Sequence, residues 1–225
     1  MSDSMVTTHQ PMRLYGHPKT RSMRIHWLLE ELGVEYEFKR VLFSKGGARP
    51  IEFLMINPSG KVPALVDEQG RVLLESAAII TYLAERFGQG CWIPPEATYE
   101  RAVFNQWSYF VLTELEQPLW TIGKHKFALP KEHRVAAVIE TAQWEYQQAL
   151  TLLSDGLKTN RAILGQCGSE WDQFTAVDIL ICQTLNWGLA FGQPMAQANL
   201  IDYVSRHSAR PALAAARARE SMAEG

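Results

Sequence analysis

The chain has 225 residues, 47% hydrophobic and 20% charged, and its 22 Lys and Arg against 24 Asp and Glu leave a formal net charge of −2. That balance gives no global positive field for nucleic acid or an anionic membrane, and no apolar run approaches the roughly 18 residues of a membrane span. The three cysteines, Cys91, Cys167 and Cys182, share no metal or redox spacing and read as free thiols of a reducing compartment.

The opening residues MSDSMVTTHQP (1–11) lack the apolar core of a secretory signal and read as a flexible tail, so the expected location is cytoplasmic. From Met12 onward short β-like runs alternate with helical ones. MRLYGH reads as a strand; SMRIHWLLEELG places Ile25, Leu28, Leu29 and Leu32 on one helical face and stops at Gly33. Tyr36–Val41 alternates as a strand, ARPIEFLMIN is a short helix with Pro50 in its first turn, and Asn57-Pro58-Ser59-Gly60 is a turn. KVPALVD and RVLL are two strands around a turn at Gln69-Gly70, and ESAAIITYLAERFG is a helix with Gly88 past its end.

The order is β-α-β-α-β-β-α, with parallel pairing implied for the helix-linked strands and a hairpin for the last two. Trp92-Ile93-Pro94-Pro95 begins a change of character, and helical periods then cover roughly 98–118, 131–157, 175–190, 199–207 and 211–222. The expected organisation is an α/β domain over 12–90, a linker over 91–97 and an all-α helical domain over 98–225.

Three stretches of the first domain invite chemistry. Pro63 forfeits a ladder hydrogen bond in its strand; a cis Val62–Pro63 bond would turn the Val62 N–H and C=O toward an extended peptide ligand, while an edge strand with an incidental proline is the alternative. Glu75 and Ser76 stand where strand gives way to helix, at the positive end of a helix dipole, an environment that suits a carboxylate or phosphate or is simply a helix cap. Thr20 or Ser22 is a natural cap for the first helix, but Lys19 and Arg21 are disfavoured there unless an anion binds nearby. All three stretches can lie on one edge of the sheet, where the fitting ligand is an extended, peptide-like anion. In the helical half, Thr175 and Asp178 form a structural capping signature. Tyr109, Thr113, Glu116 and Trp120, at i, i+4, i+7 and i+11, either line a cleft or form a mixed core face.

WLLEELGVEYE, FLMINPSGKVPALVD, LLESAAIITYLAERF and FTAVDI, in that order and spacing, resemble cytosolic glutathione S-transferases of bacterial type, of unclear class. The resemblance implies a thioredoxin-like N-terminal domain, an all-α C-terminal domain contributing the electrophile pocket, and a homodimer. It places the cis-proline on Pro63, the main-chain pair to glutathione on Val62, the holders of the γ-glutamyl end on Glu75 and Ser76, and Lys45 near the glycine carboxylate.

The thiol-activating position does not carry over cleanly. The serine or cysteine position of several classes falls on Lys19, the bacterial cysteine on Arg21, the tyrosine position on Tyr15, and the bacterial helical-domain histidine on Glu116. Ser22 or Thr20 is expected to donate to the glutathione sulfur, with Arg21 and the helix dipole adding positive potential, and Tyr15 is the competing candidate. The implied function is activation of the glutathione thiol for attack on small apolar electrophiles held by Tyr109, Thr113, Glu116 and Trp120. Glutathione-dependent peroxidase or reductase activity, and non-catalytic ligand binding, are the alternatives. Glutathione serves as co-substrate; no other cofactor, metal, nucleic acid or membrane is expected.

Overall fold

A computed structural model describes residues 10–43 and 49–222, which divide into two compact units. The first carries β1 (Arg13–Gly16), α1 (Ser22–Leu32), β2 (Glu37–Arg40), α2 (Ile51–Leu54), β3 (Ala64–Val66), β4 (Val72–Leu74) and α3 (Ser76–Phe87). This is the thioredoxin-like order expected. Its four-stranded sheet runs β2-β1-β3-β4. The β1–β2 pair is parallel, as its helical crossover implies, and β3–β4 is an antiparallel hairpin. β3, although also reached through a helix, lies antiparallel on the far side of β1.

The sheet face that carries Leu14 is covered by α1 and α3, whose apolar stripes hold Ile25, Leu28, Leu29, Ile79, Ile80 and Leu83 out of solvent. Each such side chain contributes roughly 1.5–3 kcal/mol relative to exposure. α1 ends where its pattern predicts: Gly33 turns left-handed (φ +63°), and the Val34 N–H donates to the Leu29 carbonyl at 3.1 Å. A smaller cluster of Val41, Phe53 and Ala64 gathers Tyr15, Phe43, Ile56, Val62 and Leu74 around it.

The second unit is helical: α4 (Tyr99–Phe110), α5 (Glu116–Gly123), α6 (Ala137–Leu157), α7 (Ala176–Ala190) and α8 (Ala198–Ser208). α7 is apolar nearly all round and is its buried centre. The capping signature is present: the Thr175 N–H donates to Asp178 Oδ2 at 2.8 Å, and Oδ1 accepts from the Ile163 N–H and the Tyr203 hydroxyl. The predicted 98–118 helix does not run straight, because a π turn over Val111–Leu115 joins α4 to α5 ahead of Pro118, which has no N–H to donate.

The domain boundary is corrected at the end of the chain. The last helix, α9 (Pro211–Met222), groups with the first unit and packs along α1, with Leu213, Ala216 and Glu220 as its buried residues. Its spacing announces a one-faced helix, but not which unit receives that face.

Candidate functional site

Strand register assembles the site. Tyr15 pairs with Ala64, and Ala64 pairs with Leu74, so these three residues form one row across the sheet. The loop that follows β1, the Val62-Pro63 pair that precedes β3 and the Glu75-Ser76 pair that follows β4 therefore leave the sheet at a common edge. Val62–Pro63 is a cis peptide bond, with Pro63 buried and Val62 half-buried just outside the ladder. Glu75 is exposed and adopts a left-handed backbone (φ +67°), uncommon for a non-glycine residue, while its carbonyl accepts the Ile79 N–H at 2.9 Å. Glu75, not Ser76, is thus the residue that opens α3.

Ser76 is 5% exposed, and its Oγ accepts from Arg24 Nη1 at 3.0 Å. Arg24 is wholly buried in α1. Sequence reasoning missed it, although a charged residue one turn from Leu28 on the buried stripe is a readable anomaly. Its guanidinium places positive charge behind the Ser76 hydroxyl and ties α1 to α3 under the edge.

The loop after β1 is closed by a directed chain of protons. The Thr20 hydroxyl donates to the His17 carbonyl at 2.6 Å. The hydroxyls of Thr20 and Ser22 lie 2.9 Å apart, so Ser22 is the donor in that pair, the one Thr20 proton being already placed. The His17 N–H donates to Ser22 Oγ and the Ser22 N–H to Thr20 Oγ1, each at 3.3 Å. The His17 ring donates from Nδ1 to the Val41 carbonyl at 2.9 Å and stacks on Phe43 at 4.2 Å between centroids.

Ser22 is fully buried with its proton given to Thr20. Tyr15 points to the other side of the sheet. A Cβ built on its neighbour Gly16 would stand 2.6 Å from Ser22 Oγ, so Gly16 faces the start of α1 and Tyr15, alternating with it, faces away. Tyr15 packs instead near Phe53, at 6.0 Å between centroids. That close approach also explains the glycine, a requirement the sequence reading did not draw.

At the start of α1 remain half-buried Thr20 and Arg21 and exposed Lys19. The first turn holds no acidic residue of its own, and Arg21 at the cap position offers no side-chain cap. Lys45 lies outside the described residues. In the helical unit the four residues at i, i+4, i+7 and i+11 differ in exposure: Tyr109 (63% exposed) and Thr113 lie in solvent, Trp120 is half-buried and Glu116 is buried. The intervening π turn breaks the 3.6-residue period on which their spacing was aligned. Among the described residues, no group of three or more His, Cys, Asp or Glu side chains could hold a metal ion, and no helix is long and apolar enough to cross a membrane.

Residues 10–85 match the family model described as glutathione S-transferase, N-terminal domain. The chain is 32% identical over 159 residues to the disulfide-bond oxidoreductase YfcG of Escherichia coli K12, covering 68% of this chain and 72% of that protein. It is similar in structure to a glutathione transferase of Methylococcus capsulatus, with a TM-score of 0.80 and 28% identity over 94% of this chain and 99% of that one. A sphingomonad glutathione S-transferase solved with glutathione bound superposes with a TM-score of 0.78 at 26% identity, covering 93% of this chain and 99% of that one.

Proposed function

The chain belongs to the glutathione S-transferase family, and from that premise we propose that it is a glutathione transferase that activates the thiol of glutathione for attack on small apolar electrophiles. The observation that carries the reading is the common edge: one register row delivers the loop after β1, Val62-Pro63 and Glu75-Ser76 together. Glutathione, an extended tripeptide anion, fits an edge with a main-chain pair at Val62, a buried hydroxyl backed by a guanidinium at Ser76, and a cationic loop.

A thiol of ordinary pKa, about 8.5, is only about 3% thiolate at pH 7. Lowering it by two units requires about 2.7 kcal/mol of preference for the thiolate. Thr20 and Arg21 supply it, with the positive end of α1 adding about 0.3–1 kcal/mol. Thr20 turns its proton from the His17 carbonyl to sulfur, and Ser22 continues to hold its oxygen. The thiolate forms a C–S bond to the electrophilic carbon, the leaving group departs with its bonding electrons, and the thiol proton goes to water. The same reading carries a cytoplasmic homodimer.

The likeness to YfcG favours one second reading, disulfide reduction, in which the same thiolate attacks a disulfide sulfur and a second glutathione resolves the mixed disulfide. Cys91, Cys167 and Cys182 all lie outside the loop after β1, so this chemistry too runs on glutathione rather than on a protein thiol.

The thiolate absorbance of bound glutathione, followed against pH, tests the proposal. A bound-thiol pKa near 6.5, raised by about one unit in Thr20→Val and in Arg21→Gln, is expected. Tight binding with an unshifted thiol would sink activation and leave a ligand-binding protein. Turnover of an aryl halide against a small dialkyl disulfide then separates conjugation from reduction.

A further inference from the structure

The start of α1 gathers cations, and one carboxylate reaches it from the far end of the sequence. Glu220 on α9 is 5% exposed, and its Oε2 lies 3.4 Å from the Lys19 N–H, which donates to it across 201 residues of chain. Lys19 holds a left-handed backbone (φ +61°), so its amide points away from the pattern of its neighbours. Three amides of this turn are satisfied locally: Ser22 by Thr20 Oγ1, Met23 by the Thr20 carbonyl and Arg24 by the Arg21 carbonyl. Lys19 thus takes its acceptor from outside the loop.

α9 is held in place for this by its neighbour. Arg219 Nε pairs with Glu30 at 2.8 Å, and its guanidinium lies 4.6 Å from the Tyr36 ring centroid. Tyr36 in turn donates to Glu30 at 3.0 Å and receives the His26 Nδ1–H at 2.8 Å. Burial first, then Glu30, pushes the Tyr36 phenol up from its ordinary value, and the charge of Glu220 adds to this. The titratable and charged groups that the structure ties to α9 are Lys19, His26 and Glu30, with Tyr36 ahead of β2.

We propose that Glu220 is a positioning residue of the thiol site: it fixes the left-handed turn at Lys19 through the main-chain N–H and sets a constant negative charge against the cations of the loop. The proposal rests on the reading that the loop after β1 receives the glutathione sulfur. Its consequence is specific. A carboxylate there opposes the thiolate, so the loop's cations are partly spent on a resident anion and the bound thiol is less acidic than they alone would make it.

The test uses the full chain and Glu220→Gln, which keeps an acceptor and removes the charge. Two measurements are made. In the glutathione-free protein, the Lys19 amide proton is followed by NMR against pH; wild type shows a carboxylate titration step that Glu220→Gln abolishes. With glutathione bound, the thiolate absorbance of Glu220→Gln titrates about half to one pH unit lower than wild type, the order of effect a unit charge near a partly wet site exerts. Glu220→Ala, which removes the acceptor as well, speeds exchange of the Lys19 amide. A Lys19 amide step that is absent from wild type, or that survives in Glu220→Gln, overturns the proposal. So does an unchanged bound-thiol pKa with the amide step present. Failure of wild type to bind glutathione would instead overturn the functional reading, and the amide step alone would then decide the loop contact.

Discussion

Replacing Ser76 with alanine separates what this residue does for the fold from what it does for the ligand. Its Oγ accepts from buried Arg24 at 3.0 Å, and its own proton is the one proposed to meet the γ-glutamyl end of glutathione. Removing the oxygen takes one acceptor from a buried guanidinium, at a cost to stability of about 1–3 kcal/mol. It also removes a hydrogen bond to a charged ligand group, worth about 1.5–3 kcal/mol, which raises Kd by about tenfold to a hundredfold. Urea denaturation reads the first loss and isothermal titration with glutathione the second. Arg24→Met supplies the comparison, because it removes the charge and leaves the Ser76 hydroxyl in place. In stability, the double variant is expected to lose less than the sum of the singles, since each single breaks the same contact. In affinity, Ser76→Ala is expected to exceed Arg24→Met. A folded Ser76→Ala protein that binds glutathione with the wild-type Kd would refute the placement of Ser76 in the site.

Three further outcomes follow from the geometry. Gly16→Ala forces a Cβ to within 2.6 Å of Ser22 Oγ and 3.0 Å of the Phe38 ring; it is expected to destabilise by about 1–3 kcal/mol in urea and to raise the bound-thiol pKa, because the hydroxyl chain must move. His26, buried beside Tyr36 and Phe38, has its pKa lowered to about 4, first by burial and then by Arg219. A histidine pKa depressed from the unfolded 6.5 contributes stability that is complete above pH 6.5 and lost as pH falls toward 4, here at most about 3 kcal/mol; denaturation curves of His26→Gln should show a shallower loss over that window, and an unchanged slope would refute it. Cys182 is wholly buried, with its thiol pushed well above the usual range, whereas Cys91 is exposed; a maleimide should label Cys91 in the native protein and reach Cys182 only after denaturation, as mass spectrometry of the labelled peptides will report.

Much of this architecture was legible because it is local. The stop of α1 at Gly33 and the Thr175-Asp178 box each depend on residues within one or two turns of each other, and each is present in the structure; β2 forms over Glu37–Arg40, but its four residues are all half-buried rather than alternating. Even the shared edge of the three motifs was deducible, since β-α-β-α-β-β-α leaves few ways to wind one sheet. What failed did so where a single local irregularity or a distant partner decides. One π turn ahead of Pro118, with Thr113 inside it, lies between Tyr109 and Glu116, and no propensity announces it. Tyr15 and Ser22 were both plausible donors by composition; which way each points depends on the sheet pleat at Gly16 and the direction of two hydroxyl protons, which composition does not carry.

The placement of α9 is the instructive case. The stripe Leu213, Ala216 and Glu220, at i, i+3 and i+7, predicts a one-faced helix, yet it ends in a carboxylate where an apolar residue would bury at less cost. Read alone, Glu220 looks like solvent-facing charge on a terminal helix, and Lys19 and Arg21 look like misplaced cations. Each anomaly accounts for the other once α9 lies along α1, because the acid meets the amide of Lys19 at the positive end of that helix. Two residues that break local rules about 200 positions apart are therefore a joint signal, and pairing such violations is how this contact could be sought from sequence before any fold is drawn.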